Sequence, residues 1–227
     1  DYLAPSLVPG LYSITIEKQG FKKFVRQGVS VSSFQNVRVE TFRMPVWVRG
    51  EERAEVLEPF PQKLVLTALG NSGSTGPKGI TAQVVFFATL AELEAAPAEA
   101  VKGRIAFVSH RMTPTQDGSS YGPFGDARRK GPRIASEKGA LAIVIRSIGT
   151  DRHRNPHTGA TDWKGAKPIP AAALSVPDAE QLERILKRGR PVRLRLLLTP
   201  NFLGEGESGN VIAEVPGSDP AAGLVLI

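Results

Sequence analysis

The strongest structural signal in the sequence is Gly139-Ala140-Leu141-Ala142-Ile143-Val144-Ile145-Arg146-Ser147. Its apolar, β-branched centre, Leu141–Ile145, predicts a short buried strand. The preceding segment, Pro132–Lys138, carries Pro in its first turn and ends just before Gly139, which is typical of a short helix. A compact helix followed at once by a buried strand predicts a protein that mixes both kinds of element.

The segments on either side extend this pattern. Ile80–Phe87 is apolar on both faces and predicts a central strand. Ser175-Val176-Pro177-Asp178 resembles a helix-capping box, and the helix after it is expected to end at Gly189. Leu90–Ala96 predicts a third short helix. The remaining strands are predicted at residues 11–16, 24–31, 37–42, 46–48, 54–57, 63–69, 103–109, 169–174, 192–198, 210–215 and 224–227. Strands dominate, so the predicted class is α+β with a substantial sheet.

Four segments between these elements are interpreted as turns or loops. Arg49–Glu52 resembles a hairpin turn, and Thr113–Gly125 is polar and rich in glycine. Gly149–Pro168 is a long polar loop that contains two of the three histidines. Gly204–Gly209 resembles a linker and precedes a strand, so it offers no helix amino terminus to a phosphate.

Composition excludes several classes of protein. The chain has 227 residues, no cysteine, 41% hydrophobic residues and a formal net charge of +7. It is too apolar for general disorder, and without cysteine it has no disulfide, thiolate metal site or cysteine nucleophile. No apolar run is long enough to span a membrane, and the first residues do not resemble a signal peptide. The basic clusters Arg128–Lys130 and Arg184–Arg195 contain no aromatic residue, which favours solvated surfaces over nucleic-acid binding.

The three histidines, His110, His153 and His157, are the natural metal candidates. His153 and His157 have the spacing of a helical ligand pair. However, Asn155-Pro156 between them opposes a helix, and no glutamate occupies the adjacent position of a zincin motif. Ordinary hydrogen bonding within a loop is the favoured interpretation, so no metal ligand is predicted.

The sequence also lacks a clear catalytic motif. Asn71–Gly76 is rich in serine and glycine but does not have the order of a nucleophile elbow. The acidic pairs Glu51-Glu52 and Glu205/Glu207 are interpreted as surface charge. Composition and spacing therefore predict no catalytic residue.

Several segments, in their order along the chain, resemble a known family. The sequence is similar to the protease-associated domain of secreted zinc exopeptidases related to carboxypeptidase Q and bacterial aminopeptidases. The segments that carry the resemblance are Met44–Glu52, Pro61–Val65, Gly139–Ser147, Pro156–Gly159 and Ile169–Ser175. Asn210–Ser218 resembles the strand that re-enters the catalytic domain after that insertion.

This resemblance implies a β-rich sandwich or open barrel with short helices, inserted into an α/β metallopeptidase. The family's zinc ligands follow a strand equivalent to Leu224–Ile227, after which this chain stops. The two zinc ions are therefore expected only in a longer parent protein, and the chain alone is expected to be inactive. The resemblance implies a secreted or periplasmic location, and its implied partners are the remainder of the catalytic domain and peptide substrates.

The resemblance also implies a division of the chain. Residues 1–40 are similar to the end of a carboxypeptidase regulatory-like β-sandwich, and we expect residues 1–35 to be loosely packed. Residues 41–62 form a hairpin that leads into the insertion. Residues 63–208 form the protease-associated domain, and residues 209–227 supply the first strands of the catalytic domain.

The expected function is non-catalytic: the region walls one side of an active-site cleft and limits which peptides enter. Asp151–Pro168 is the candidate cleft-facing loop, with His157, Thr158 and Gly159 as substrate contacts. A purely structural turn at residues 156–159 is the alternative. Two other functions remain open, namely a separate peptide- or protein-binding module that uses sheet edges, and an intact hydrolase with an unrecognised site.

Overall fold

The structure is a computed structural model that describes residues 7, 10–17, 19, 22–31, 36–214, 221 and 223. The chain forms two compact units, one of residues 46–204 and one of residues 1–45 together with 205–227. The domain boundaries expected at residues 40, 62 and 208 stay predictions, and the strand expected at 224–227 lies outside the described residues.

Twelve strands and five helices occupy the described ranges. The strands are β1 (Gly10–Ile16), β2 (Phe24–Val31), β3 (Asn36–Val48), β4 (Glu52–Glu58), β5 (Gln62–Leu64), β6 (Leu66–Ala68), β7 (Ile80–Phe87), β8 (Ile105–Val108), β9 (Ala142–Arg146), β10 (Ala171–Leu174), β11 (Arg193–Leu198) and β12 (Asn201–Glu214). The helices are α1 (Leu90–Ala95), α2 (Ala98–Val101), α3 (Tyr121–Arg129), α4 (Gly131–Glu137) and α5 (Val176–Lys187).

Eight strands form one sheet within residues 46–204, in the order β5-β4-β11-β7-β8-β9-β10-β6. Strands β7 to β10 run parallel to one another. The other pairs of the sheet, β5 with β4, β4 with β11, β11 with β7 and β10 with β6, are antiparallel. The two edge strands, β5 and β6, are separated in the chain only by Val65, so the sheet is nearly closed. This architecture confirms the predicted β-rich α+β class with short helices.

The buried strand predicted at Leu141–Ile145 corresponds to β9, whose five residues are all buried. Its alternate side chains enter two cores. Val144 packs with residues of α5 on one face, and Ile143 packs with residues of α1 and α4 on the other. The helix predicted just before β9 is α4, and Gly139 follows it at a φ of +77°.

In the other unit β1 and β2 form an antiparallel ribbon, and β3 and β12 form a second two-stranded sheet. The predicted strands 11–16 and 24–31 correspond to β1 and β2. Most of the described side chains in these two strands are exposed. Loose packing of residues 1–35 stays a prediction that amide exchange can test.

The hairpin predicted at Arg49–Glu52 is wrong. Strand β3 pairs with β12, whereas β4 pairs with β5 and β11. The chain between β3 and β4 passes close to Thr199: the Glu51 amide donates to Thr199 Oγ1 at 2.7 Å, and the Thr199 amide donates to the Glu51 carbonyl at 3.0 Å. A Cβ on Gly50 would lie 2.1 Å from the Thr199 carbonyl oxygen, so this glycine is required by a close approach of two segments.

The loop predicted at Thr113–Gly125 is wrong in its last part, because α3 begins at Tyr121. Three residues of low helix propensity, Gly122, Pro123 and Gly125, obscure the helix in the sequence. Packing compensates for them, since Gly125 and Ala127 are buried. Gly204–Gly209, interpreted as a linker, lies instead within β12.

The single strand predicted at residues 63–69 is divided into β5 and β6. The division falls at Val65, whose amide donates to Asp178 Oδ2 at 3.3 Å and whose carbonyl accepts from the Ser175 amide at 2.9 Å. Val65 therefore bonds to the amino-terminal end of α5 and not to a neighbouring strand.

Candidate functional site

Helix α3 contributes two polar side chains to the candidate site. Tyr121 and Arg128 lie seven residues apart, so they project from the same face of the helix two turns apart. The Arg128 Nη1 atom donates to the Tyr121 hydroxyl at 3.0 Å, and the guanidinium lies over the Tyr121 ring, 5.8 Å from its centroid. Both side chains are half-buried.

The loop predicted to face a cleft is fastened to the sheet. The His157 amide donates to Ser147 Oγ at 2.6 Å, directly after β9. The Gly70 amide donates to the Gly159 carbonyl at 2.9 Å, and Trp163 Nε1 donates to the Asn71 carbonyl at 2.7 Å. These bonds hold the loop in one position, which is what a structural turn and a preorganised binding surface both require.

His157 joins the loop to α3. Its Nε2 atom lies 2.6 Å from the Tyr121 hydroxyl and 3.1 Å from Arg128 Nη1. Because a guanidinium only donates, this set of bonds is satisfied when the Tyr121 hydroxyl donates to Nε2 and accepts from Arg128. The ring hydrogen of the neutral imidazole is then on Nδ1, which makes no hydrogen bond to any described residue. The ring is exposed to solvent.

Thr158 and Gly159 contact two arginines. The Thr158 hydroxyl accepts from Arg49 Nη2 at 3.1 Å, and the Thr158 carbonyl accepts from Arg128 Nη1 at 3.3 Å. Arg49 is anchored from the other side, since its Nε donates to the Ala68 carbonyl at 3.1 Å. A Cβ on Gly159 would lie 2.8 Å from Arg128 Cζ, so the guanidinium packs directly against this backbone.

The three consecutive cations of α3 differ in their partners. Arg129 and Lys130 both bond to Asp126, at 2.7 Å and 2.6 Å. The hydrogen bond from Lys130 is the main cause that holds the pKa of Asp126 below its ordinary value. Arg128 instead bonds to the neutral oxygens of Tyr121 and Thr158, and it forms no ion pair within the described part of the chain.

A second polar cluster joins α5 to the ends of β8 and β9. Glu183 accepts from Ser109 Oγ at 2.9 Å, from Arg111 at 3.0 Å and from Lys187 at 2.6 Å. Burial opposes ionisation of Glu183, but these hydrogen bonds outweigh it and lower its pKa. Each acid in this cluster has a cationic partner, which is typical of a structural ion-pair network.

Neither loop histidine is placed for metal binding. His153 Nε2 lies 3.2 Å from Asp151 Oδ1, and His153 Nδ1 accepts from the Asn155 amide at 3.2 Å. His157 is bonded to Tyr121 and Arg128 instead. Across residues 36–214 and the other described positions, no three His, Asp or Glu side chains lie close enough together to hold a metal ion. The residues present therefore do not fit a zinc site.

A cavity among residues 46–204 lies away from this site. It has a volume of about 490 Å³, and neither His157, Thr158 nor Gly159 lines it. Its walls come from β4, β5 and β11 and include Arg53, Glu55, Lys63, Arg195 and Leu197.

The role of His157, Thr158 and Gly159 as substrate contacts stays a prediction, and the sequence does not point to Tyr121, Arg128 and Arg49, which contact them in the structure. Tyr121 falls in the segment predicted as a loop, and Arg128 belongs to a basic cluster whose sequence favours a solvated surface. One signal is present in the sequence: Asp126 stands three residues before Arg129 and four before Lys130. In a helix this spacing pairs Asp126 with these two cations and not with Arg128. None of the helices in the described ranges has the length and apolar character needed to cross a membrane.

Comparison with known proteins gives relatives among the peptidases. No family model matches the chain. Carboxypeptidase Q of Bos taurus is 32% identical over 206 residues, which cover 90% of this chain and 42% of that protein.

Two solved structures are also similar. The peptidase M28 precursor of Shewanella amazonensis is 45% identical with a TM-score of 0.78, over 82% of this chain and 42% of that one. An aminopeptidase from Aneurinibacillus shares the fold, with a TM-score of 0.54, 17% identity and coverage of 82% of this chain and 40% of its own. The chain spans less than half the length of each of these proteins. It is therefore homologous to a region of carboxypeptidase Q and of M28-type peptidases, as the sequence resemblance predicted.

Proposed function

We propose that this chain is the non-catalytic, protease-associated region of a zinc metallo-exopeptidase and that it shapes the access of peptides to the active-site cleft. The observation that carries the proposal is the coverage: the similarity includes 90% of this chain but only 42% of carboxypeptidase Q. The remaining part of such a parent protein would supply catalysis. The lack of a metal-ligand cluster among the described residues is compatible with this division of roles.

The loop at residues 151–168 is the proposed substrate-facing surface. Two features support it: hydrogen bonds of the loop backbone hold it in place, and the His157 ring is exposed with an Nδ1 atom that bonds to no described residue. Nδ1–H would donate to an oxygen of a bound peptide. Thr158 and Gly159 would position Arg128 beside the His157 ring, because both residues contact it.

The partners follow from the same proposal. They are the remainder of the catalytic domain and the peptide substrates of the parent enzyme. Two zinc ions in that remainder would activate water for peptide hydrolysis. The proposed location of the parent, secreted or periplasmic, rests on the family resemblance.

The proposal is tested by replacing His157 in the longer parent enzyme. We expect His157→Ala to raise KM for short peptides several-fold with little change in kcat, because the contact contributes to binding and not to chemistry. His153→Ala is the control, since His153 is also exposed and, among the described residues, bonds only to neighbours in its own loop. Unchanged kinetics in His157→Ala would reject the contact.

A second assay tests the non-catalytic role. The isolated chain, supplied with zinc, is expected to release no amino acid from a set of di- and tripeptides. Turnover that depends on added zinc would support the alternative of an intact hydrolase.

Peptide capture by strand addition has weaker support. The two edges of the eight-stranded sheet, β5 and β6, contain three residues each, which leaves little backbone for an added strand.

A further inference from the structure

Arg128 is a half-buried cation that has no counterion among the residues that the structure describes. Its neighbours Arg129 and Lys130 are neutralised by Asp126, whereas no carboxylate of the described residues pairs with Arg128. Transferring a guanidinium out of water is unfavourable unless an anion or a full set of acceptors replaces the solvent. The described part of the chain provides only neutral acceptors here.

The hydrogen bonds of Arg128 leave part of its donor capacity unused. All three of its contacts use Nη1. Its Nη2 bonds to no described residue, and its Nε is buried without a partner. His157 adds a further donor, because the bond at Nε2 leaves the hydrogen on Nδ1. Because Nε is buried, the unused donors left for a ligand are Arg128 Nη2 and His157 Nδ1.

The position of the guanidinium is fixed before any ligand arrives. Gly159 lies against it so closely that a Cβ would be 3.0 Å from both Nε and Nη1. Tyr121 holds the same group from the other direction through a 3.0 Å hydrogen bond. Such preorganisation lowers the entropic cost of binding.

We propose that Arg128, beside the His157 ring, forms a carboxylate-binding site that takes the C-terminal carboxylate of a short peptide. Its Nη2 atom donates to the carboxylate, and this charge-assisted bond supplies the missing counterion. The choice of a peptide carboxylate rests on the proposed function. Two other sources of similar chemistry, an acidic side chain and inorganic phosphate, are separated by the experiment.

The experiment is a titration of the purified 227-residue chain, followed by the NMR shifts of the His157 ring. The probes are the dipeptide Ala-Leu, its C-terminal amide, Asp-Leu amide and inorganic phosphate. We expect saturable binding of Ala-Leu and binding of both amides that is weaker by about tenfold or more, because the charge-assisted bond is lost. Phosphate is expected to bind more weakly than Ala-Leu.

Two variants assign the effect to Arg128. Arg128→Gln is expected to weaken Ala-Leu binding by about tenfold, whereas Arg129→Gln removes the same charge one residue away and is expected to change it by less than about twofold. Tyr121→Phe keeps the charge but removes one hydrogen bond to the guanidinium, so an intermediate loss is expected. If Arg128→Gln does not fold, the affinities of the unaltered chain for Ala-Leu and for its C-terminal amide still test the proposal.

Equal affinity for Ala-Leu and its amide would overturn the proposal. So would equal losses in Arg128→Gln and Arg129→Gln, tight binding of Asp-Leu amide, or binding of phosphate alone. The titration needs no peptidase activity. Carboxylate binding combined with unchanged kinetics of His157→Ala in the parent would therefore reject the substrate contact of the proposed function while the site itself stands.

Discussion

Gly159 illustrates how one residue fixes the geometry of the candidate site. Its φ is not in the left-handed region, so the backbone conformation does not demand glycine. The demand comes from Arg128, whose guanidinium occupies the space that a side chain would need. The site therefore depends on the absence of a Cβ at this position.

Replacement of Gly159 by Ala should displace the Arg128 guanidinium. We expect the hydrogen bonds to Tyr121 and Thr158 to weaken and the free energy of unfolding to fall by about 1–3 kcal/mol, as is typical when a methyl group is forced into a packed site. Urea unfolding and the NMR shifts of the His157 ring measure the two effects.

Gly122→Ala is the matched control for this change. Gly122 lies in α3 with open space where a Cβ would be, so alanine there should be neutral or stabilising by up to about 1 kcal/mol. An unfolding free energy of Gly159→Ala equal to that of the unaltered chain would contradict the packing argument.

His110 should make stability depend on pH. Burial lowers its pKa from the ordinary value, and the charge of Glu92 opposes this only in part. The unfolded chain regains the ordinary pKa and so binds more protons than the folded chain below about pH 6.5. We expect the free energy of unfolding to be greatest above that pH and to decrease as the pH falls through the window between the two pKa values.

Urea unfolding at about pH 7.5 and pH 5.5 measures this change on either side of the unfolded pKa. His110→Gln should reduce the difference between the two pH values, whereas His153→Gln, at an exposed ring, should preserve it. An identical pH difference in His110→Gln would show that other groups cause it.

The residues of the candidate site show what a sequence can and cannot reveal. A long polar loop with histidines is visible in the sequence, and this led to His157, Thr158 and Gly159. Tyr121 and Arg128 belong to a distant helix, and only the folded chain brings them to the loop. No local pattern in a sequence indicates a contact between segments about thirty residues apart. The positions of Tyr121 and Arg128 beside the loop are therefore seen only in the structure.

At the scale of elements, helix α5 shows a local signal that tertiary contacts reinforce. Its capping box was predicted from Ser175 and Asp178, and Ser175 accepts from the Asp178 amide as expected. Asp178 does more than cap the helix. It is fully buried, and its carboxylate accepts from Ser175 Oγ, from the Val65 amide and, at 2.5 Å, from Arg154.

Asp178→Ala should therefore destabilise the fold more than the loss of a cap alone. We expect a decrease of about 3 kcal/mol in the free energy of unfolding, because the Val65 amide and the Ser175 hydroxyl lose their acceptor within the protein. Glu92→Ala is the control, since Glu92 holds the same position in the capping box of α1 but is exposed.

That control should decrease stability by no more than about 1 kcal/mol. Chemical denaturation of both variants gives the comparison, and equal losses would contradict a tertiary role for Asp178.

The elements that were predicted correctly share strong periodicity or continuous apolar character. Ile80–Phe87 matches β7 at both ends, and Leu141–Ile145 lies within one residue of β9. The errors occur where tertiary contacts override a local preference. Helix α3 forms in spite of its glycines and proline, and Val65 interrupts a strand because α5 takes its backbone hydrogen bonds.

At the scale of the whole molecule, the order of strands could not be predicted from the sequence. Strand β11 lies between β4 and β7, although 138 residues separate Leu194 from its partner Val56 along the chain and the pairing leaves no local signature. The same pairing closes the core, since Leu194, Leu196 and Leu198 are fully buried. The fold class followed from composition and periodicity, whereas the topology depends on pairings of this kind.

Residues 46–204 should fold without the rest of the chain. Both hydrophobic clusters lie between Ala54 and Leu198, and all eight strands of the large sheet belong to this unit. We expect a chain of residues 46–204 to unfold in urea in a single cooperative transition. A chain of residues 46–190, which lacks β11, should show no such transition, because β4 and β5 would lose their connection to β7. Unfolding of the longer chain without cooperativity, or cooperative unfolding of the shorter one, would show that the sheet does not hold this unit together.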